Sequence, residues 1–396
     1  MVQFSQIEVE DDSLREGLQS STSFCATASQ ISDYIDFVSL LGIDHLIVGF
    51  PASSKNQYMN CINFLKKIEK LPQKITPWLL ARSHENDIAC CLEITKSFNF
   101  PVGISIFQAI SPIRFKVENW SMQSVTKNLI TWSQKLNQKK ALFSINLEDA
   151  TRSHYEDLRK IVSQLSNYST DSIFICDTSG ASDPESTFEI VSLVSNEIKN
   201  QNSNIKIGWH GHNDQGLALA NSIFAAKGGA KIISGTFTGF GERAGNLPLE
   251  QFIHYLYSKG VSKYSIKQLK PLCDLFANIA NIDISPRAPL IGSHCFSTAA
   301  GIHGNAIIKG LQKDPFLGDA VYSSVSATSL GRKQSFLLGP QSGKKIAHKI
   351  LEDLNFDSSS ESTDQLIRFA KLSNKILSEN EIRNWYFKKQ QFKEDT

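Results

Sequence analysis

Two histidines separated by one glycine stand in the run Trp209-His210-Gly211-His212-Asn213-Asp214. At the end of a β-strand, residues two apart point to the same side of a sheet. That spacing puts two imidazole nitrogens within reach of one metal ion. The spacing alone describes two polar residues at a strand end equally well. A second run near the N-terminus, Asp11-Asp12-Ser13-Leu14-Arg15-Glu16-Gly17, shifts the balance. One carboxylate and two histidines form a ligand set that holds a divalent metal and leaves positions open for substrate.

These runs need elements to bring them together. Short apolar stretches recur at 7–9, 45–50, 75–80, 102–107, 141–147, 172–176, 205–209 and 230–234. Segments of helical periodicity separate them. The clearest carries Ile31, Tyr34, Ile35, Val38 and Leu41, an i, i+3, i+4, i+7 stripe. Eight strands alternating with helices over roughly 250 residues predict a closed (β/α)8 TIM barrel. An open doubly wound sheet is the structural rival, disfavoured by the lack of a GxGxxG turn after the first strand. Glu16, Glu148-Asp149, Asp177 to Gly180, His210 to Asp214 and Gly239 to Asn246 all follow predicted strands. In a barrel those ends share one face, where active sites sit. The pattern changes after Lys267, so the expected division is a catalytic barrel over 1–268 and a smaller, mostly helical domain over 269–396.

Bulk properties exclude some classes. A net charge of +2 gives no case for a nucleic-acid partner. No apolar stretch approaches the roughly 20 residues that a membrane span needs, and no secretory signal opens the chain. Seven cysteines, an odd number without a CxxC, fit reduced thiols in the cytoplasm. Among them Cys176 reads as core.

Taken together, these motifs resemble the DRE-TIM metallolyase superfamily on its synthase branch, which includes 2-isopropylmalate, homocitrate and citramalate synthases. Asp11 to Gly17 matches its D-x-[ST]-L-R-[DE]-G box, and His210 to Asn221 matches H-x-H-N-D-x-G-x-A-x-A-N. Gly239 to Asn246 matches G-x-G-E-R-A-G-N, and Ala300-Gly301-Ile302-His303 approximates S-G-I-H. The resemblance implies a Claisen condensation of an acyl-CoA, usually acetyl-CoA, with a 2-oxo acid, followed by thioester hydrolysis. It also implies a Mg, Mn or Zn ion held by Glu16, His210 and His212, with Asn246 close by as a possible further ligand. Arg15 matches the catalytic arginine, which would stabilise oxyanion character; its other reading is an ion pair with Asp11 or Asp12, which could also orient it. His303, with Tyr322, matches the general base that some members use. Thr178 matches a hydroxyl on the substrate carboxylate, and Glu148 belongs to an E-D-A-x-R-like box that orients substrate or water. A homodimer whose tail covers the partner's barrel is implied as well.

Three departures stand out. The family's second strand carries a glutamate that pairs with the catalytic arginine, and here that position is Ile47. Only the last histidine of an H-E-S-G-I-H box is present. A family histidine after the fourth strand is replaced by Arg114, which either binds an extra anionic group of the substrate or faces solvent. Two rivals therefore stay open. One is C–C cleavage of the hydroxymethylglutaryl-CoA lyase type, although that enzyme's G-G-C-P loop is absent. The other is a degenerate barrel serving as a binding scaffold. No amino-acid-sensing domain is expected after the tail.

Overall fold

The computed structural model describes residues 3–20, 27–73, 75–201 and 203–394, with the side chains of 392–394 left aside. Eight parallel strands close into a barrel in sequence order. They are β1 (Glu8–Asp11), β2 (His45–Gly49), β3 (Thr76–Arg82), β4 (Gly103–Ala109), β5 (Phe143–Glu148), β6 (Ser172–Asp177), β7 (Lys206–Gly211) and β8 (Ile232–Gly235). Closure comes from β1 against β8, with Glu8 opposite Ile232 and Asp11 opposite Gly235. The expected TIM barrel is therefore the observed fold, with strand limits within a few residues of those read from the sequence.

The helices between the strands form for local reasons. Thr27 caps Ala28–Leu41 through a reciprocal box with Gln30, and Gly42, at φ +91°, ends it. Its predicted stripe, Ile31 to Leu41, is buried. Each such side chain contributes roughly 1.5–3 kcal/mol of transfer free energy. Inside the barrel, aromatic rings fill space that glycines leave. A Cβ at Gly103 would meet the Trp78 ring at 2.2 Å, and one at Gly208 would meet Phe174 at 2.4 Å. At the N-terminal end of the strands, Glu8 bonds His45 Nε2 at 2.7 Å and Lys206 Nζ at 2.9 Å. These contacts lower the Glu8 pKa to about 2 against the upward push of burial.

The chain divides into two compact units, Met1–Ile284 and Ser285–Thr396. The division falls after 284 and not after 268 because the helix Leu269–Ala280 packs on Ala28–Leu41. Phe276 there lies 5.9 Å from the Tyr34 ring, centroid to centroid. The second unit carries the helices Gly301–Leu311, Pro315–Ala320, Lys344–Asp353, Ser360–Ser373 and Glu379–Glu394, with two short parallel strands, Ser297–Thr298 and Ser335–Phe336. Its own core includes Ile308, Leu338, Ile346, Leu351, Leu366 and Ile382.

Cys61, Cys90, Cys91, Cys176, Cys273 and Cys295 are free thiols, and Cys25 lies outside the described residues. Among the described residues no helix is long and apolar enough to cross a membrane.

Candidate active site

After β1 the chain enters a single π-helical turn, Ser13–Gly17. Wide turns of this kind recur at functional sites. The buried Asp11 carboxylate fixes the start of this one. It accepts hydrogen bonds from Ser13 N at 2.9 Å and from the Tyr34 hydroxyl at 2.7 Å. Arg15 and Glu16 are thereby presented at the C-terminal mouth of the barrel.

There Glu16 meets the two histidines of β7 and its exit loop. Ligand atoms of Glu16, His210 and His212 all lie within 4.8 Å of one another. His212 Nε2 is 3.8 Å from Glu16 Oε1. His210 Nδ1 faces the Ser234 hydroxyl at 3.2 Å, which leaves Nε2 toward the cluster, 3.3 Å from Asn246 Nδ2. Burial lowers the His210 pKa to about 3, with the neighbouring His212 adding to the shift, and burial lowers His212 too. Both rings are thus neutral near pH 7, the form that binds a metal. Burial pushes Glu16 up, but Arg15 and the histidines outweigh it and hold the carboxylate ionised.

The residues present fit a divalent metal. His212 Nδ1 and Asn246 Oδ1 are buried without a hydrogen-bond partner, polar atoms of the sort that a ligand or an ordered ligand shell satisfies. Close packing supports the arrangement. A Cβ at Gly241 would come within 1.9 Å of Asn246 Oδ1, so only glycine lets that loop approach. Latches hold the β8 loop against the loops that follow β7 and β6. Asn213 N donates to Gly245 O at 2.8 Å. Arg243 grips Asp214 through Nε at 2.7 Å and Thr178 O through Nη2 at 2.6 Å.

With Ile47 in place of a glutamate, Arg15 has no carboxylate partner from the second strand. Asp12, one of the two aspartates that the sequence offers as an ion-pair partner, supplies one. Its carboxylate takes Arg15 Nε at 3.0 Å and also Nη2, while Nη1 pairs with Glu16. Asp12 is three residues before Arg15, a spacing that brings side chains together within one helical turn. That spacing was the available signal. The guanidinium has five N–H donors, and three are engaged here, so two remain for a ligand.

One cavity of about 340 Å³ is lined by Arg15, Glu16, Glu148, Thr178, His210 and His212, together with Glu10, Asp12, Ile47, Leu80, Ser105, Phe107, Asn146, Phe174 and Cys176. Asn246 adjoins it through His210. Thr178 Oγ1 accepts from Asp149 N at 2.8 Å. Arg114 lines a neighbouring cavity of about 460 Å³ that shares Phe107 and Glu148 with the first. Its charge is already answered, by Glu148 at 2.6 Å and Glu118 at 3.1 Å. His303 and Tyr322 belong to the second unit, where their ring centroids are 4.1 Å apart. Ser105 and Asn146 were not singled out from the sequence because they stand inside apolar strands, and Glu10 because it directly follows the first apolar run, ahead of the box that carries Arg15 and Glu16.

A closed eight-stranded barrel with a carboxylate, two histidines and an arginine at the C-terminal ends of its strands defines a TIM-barrel enzyme. The HMGL-like family model matches residues 6–276, and the chain belongs to that family, within the DRE-TIM superfamily. It is similar to 2-isopropylmalate synthase of Geobacillus sp. (strain WCH70), 29% identical over 93% of this chain and 70% of the relative. Similarity to homocitrate synthase AksA of Methanocaldococcus jannaschii is also 29%, over 89% of this chain and 82% of the relative. Among solved structures, hydroxymethylglutaryl-CoA lyase from Pseudomonas aeruginosa superposes with a TM-score of 0.60 at 16% identity, over 70% of this chain and 94% of that one. At that identity the likeness speaks for the barrel alone.

Proposed function

We propose that the protein condenses an acyl-CoA, acetyl-CoA in the simplest case, with a 2-oxo acid and hydrolyses the thioester, releasing CoA and a 2-hydroxy diacid. In balance, the oxo acid, the thioester and one water give the product and the free thiol. The observation that carries this reading is the Glu16–His210–His212 cluster beside an arginine with spare donors, in a cavity of small-molecule size. The synthase names of the relatives support it.

A divalent ion held by Glu16, His210 and His212, with Asn246 beside them, would polarise the ketone of the oxo acid. Arg15 places its two free N–H groups where negative charge grows on the ketone oxygen as the new C–C bond forms, and Asp12 keeps the fork in that orientation. Thr178 holds the substrate carboxylate, and Glu148, kept in place by Arg114, orients the water that hydrolyses the thioester. Proton removal from the carbon next to the thioester carbonyl is assigned to His303, with Tyr322 at its side. Imidazole suits proton transfer near neutral pH. A cytoplasmic homodimer is part of the same proposal.

The test is thiol release from acetyl-CoA with a panel of 2-oxo acids, with and without Mg²⁺, Mn²⁺ and Zn²⁺. The expected outcome is metal-dependent release with at least one acid, abolished by Arg15→Ala while metal binding persists. Metal binding without release from any pair would leave only a binding scaffold.

A further inference from the structure

The cavity continues past the metal-ligand cluster to the middle of the strands, and its wall there holds an unusual set of polar groups. Ile47, Leu80, Phe107 and Phe174 make apolar sides. Between them stand Ser105 on β4, Asn146 on β5 and Glu10 on β1. Ser105 and Glu10 are buried, at 2% and 5% exposure.

Hydrogen-bond accounting shows what these groups still offer. Asn146 Nδ2 donates to Ser105 Oγ at 2.7 Å and to Ile106 O at 3.0 Å. Both amide protons are used, so Oδ1 is left as an acceptor toward the cavity. Ser105 Oγ also accepts from the Ser144 hydroxyl at 3.1 Å. With two bonds accepted, its own proton remains to be donated. Burial, reinforced by Asp12, raises the Glu10 carboxyl to about 8, so it adds a neutral acid, not a charge. The two cations of the lining, Arg15 and Arg243, are bound to Asp12 and Glu16 and to Asp214. The cavity wall therefore offers a ligand one acceptor and one donor between apolar sides.

We propose that Ser105 and Asn146 read the side chain of the oxo acid and select one that ends in a neutral hydrogen-bonding group, such as a hydroxyl, over an alkyl or carboxylate end. This rests on the condensation reading and specifies its substrate class. Sites built to hydrogen-bond a hydroxyl reject analogues that lack it far more strongly than apolar pockets discriminate between alkyl groups.

The experiment is calorimetric titration of the full-length, Mn²⁺-loaded protein with near-isosteric acids. The pairs are 3-hydroxypyruvate against 2-oxobutanoate and 4-hydroxy-2-oxobutanoate against 2-oxopentanoate, with 2-oxoglutarate as the charged case. In at least one pair the hydroxyl acid should bind on the order of 10-fold tighter or more, and 2-oxoglutarate more weakly than that acid. Asn146→Leu should erase the preference. Ser105→Ala, a smaller change, should reduce it and guards against misfolding of the first variant. Equal or tighter binding of the alkyl acids or 2-oxoglutarate, or a preference untouched by both variants, would overturn the proposal. Thiol release, followed in the same samples with acetyl-CoA, separates the two claims. Preference without release defeats the condensation reading alone, whereas release without preference defeats this inference alone. Binding of none of the acids defeats both.

Discussion

Replacing Asp12 by Asn removes the charge that orients Arg15 and keeps the side chain's shape. The pair is largely sealed from solvent, with Asp12 at 2% and Arg15 at 16% side-chain exposure. A two-pronged guanidinium–carboxylate pair has charge centres ~4 Å apart, which at an effective dielectric of ~20 corresponds to about 4 kcal/mol. Burial opposes that attraction and pushes the Asp12 carboxyl up to about 7, and Glu16 still faces the arginine in the variant, so the expected net destabilisation is smaller, about 0–2 kcal/mol. Arg15→Met should cost more, about 3–5 kcal/mol, because it leaves Asp12 and Glu16 facing each other without a cation. The double variant should lose less than the two single losses combined, with a coupling of at least about 2 kcal/mol. The assay is urea unfolding by tryptophan fluorescence. Four of the five tryptophans, Trp78, Trp120, Trp132 and Trp209, lie in the barrel unit. A coupling below about 0.5 kcal/mol, the level of a solvent-exposed pair, would refute the claim that Asp12 stands in for the carboxylate missing at Ile47.

Other consequences follow from the same geometry. Mn²⁺ at about 100 times its dissociation constant should raise the unfolding free energy by about 2.7 kcal/mol; His212→Ala should abolish that gain, read by thermal melts with and without EDTA. Gly241→Ala would push a Cβ into Asn246 Oδ1, now 1.9 Å from that position, so metal affinity should fall at least ~10-fold while far-UV circular dichroism is retained. The Glu8 carboxyl titrates at about 2 in the folded chain against 4.5 as the ordinary value. Its stabilisation is therefore complete above pH 4.5 and lost as the pH falls toward 2. In Glu8→Gln this acid-side slope should flatten, by about 2 kcal/mol after screening of a partly exposed group, as urea melts across pH 2–6 would show.

The barrel was legible because its strands are short apolar runs at regular spacing, several of them followed by a polar cluster. Those clusters do converge on one cavity, with Glu16, His210 and His212 at its mouth. The inner wall was not legible. Barrel strands are buried on both faces, so period-two alternation does not mark which residues point inward. Ser105 and Asn146 looked like polar interruptions of apolar strands. The partner of Arg15 was legible only in part. Asp11 and Asp12 both stand just before it, and their spacing does not choose between them; Asp11 turns to Ser13 and Tyr34, and Asp12 to the arginine. The first compact unit runs on past 268 because Leu269–Ala280 has the apolar stripe of a barrel helix, with Leu272, Cys273 and Phe276 buried, and no strand after it to mark that in the sequence.

The central claim is carbon–carbon bond formation at this site. Its most direct test is acetyl-CoA carrying ¹³C in the acetyl methyl group, incubated with the metal-loaded protein and the oxo acid that binds best. Mass spectrometry should find the label in a 2-hydroxy diacid heavier than the oxo acid by the elements of acetic acid, formed together with free CoA and absent with Arg15→Ala. Label recovered only in acetate or unreacted thioester, with the oxo acid bound and unchanged, would contradict the account.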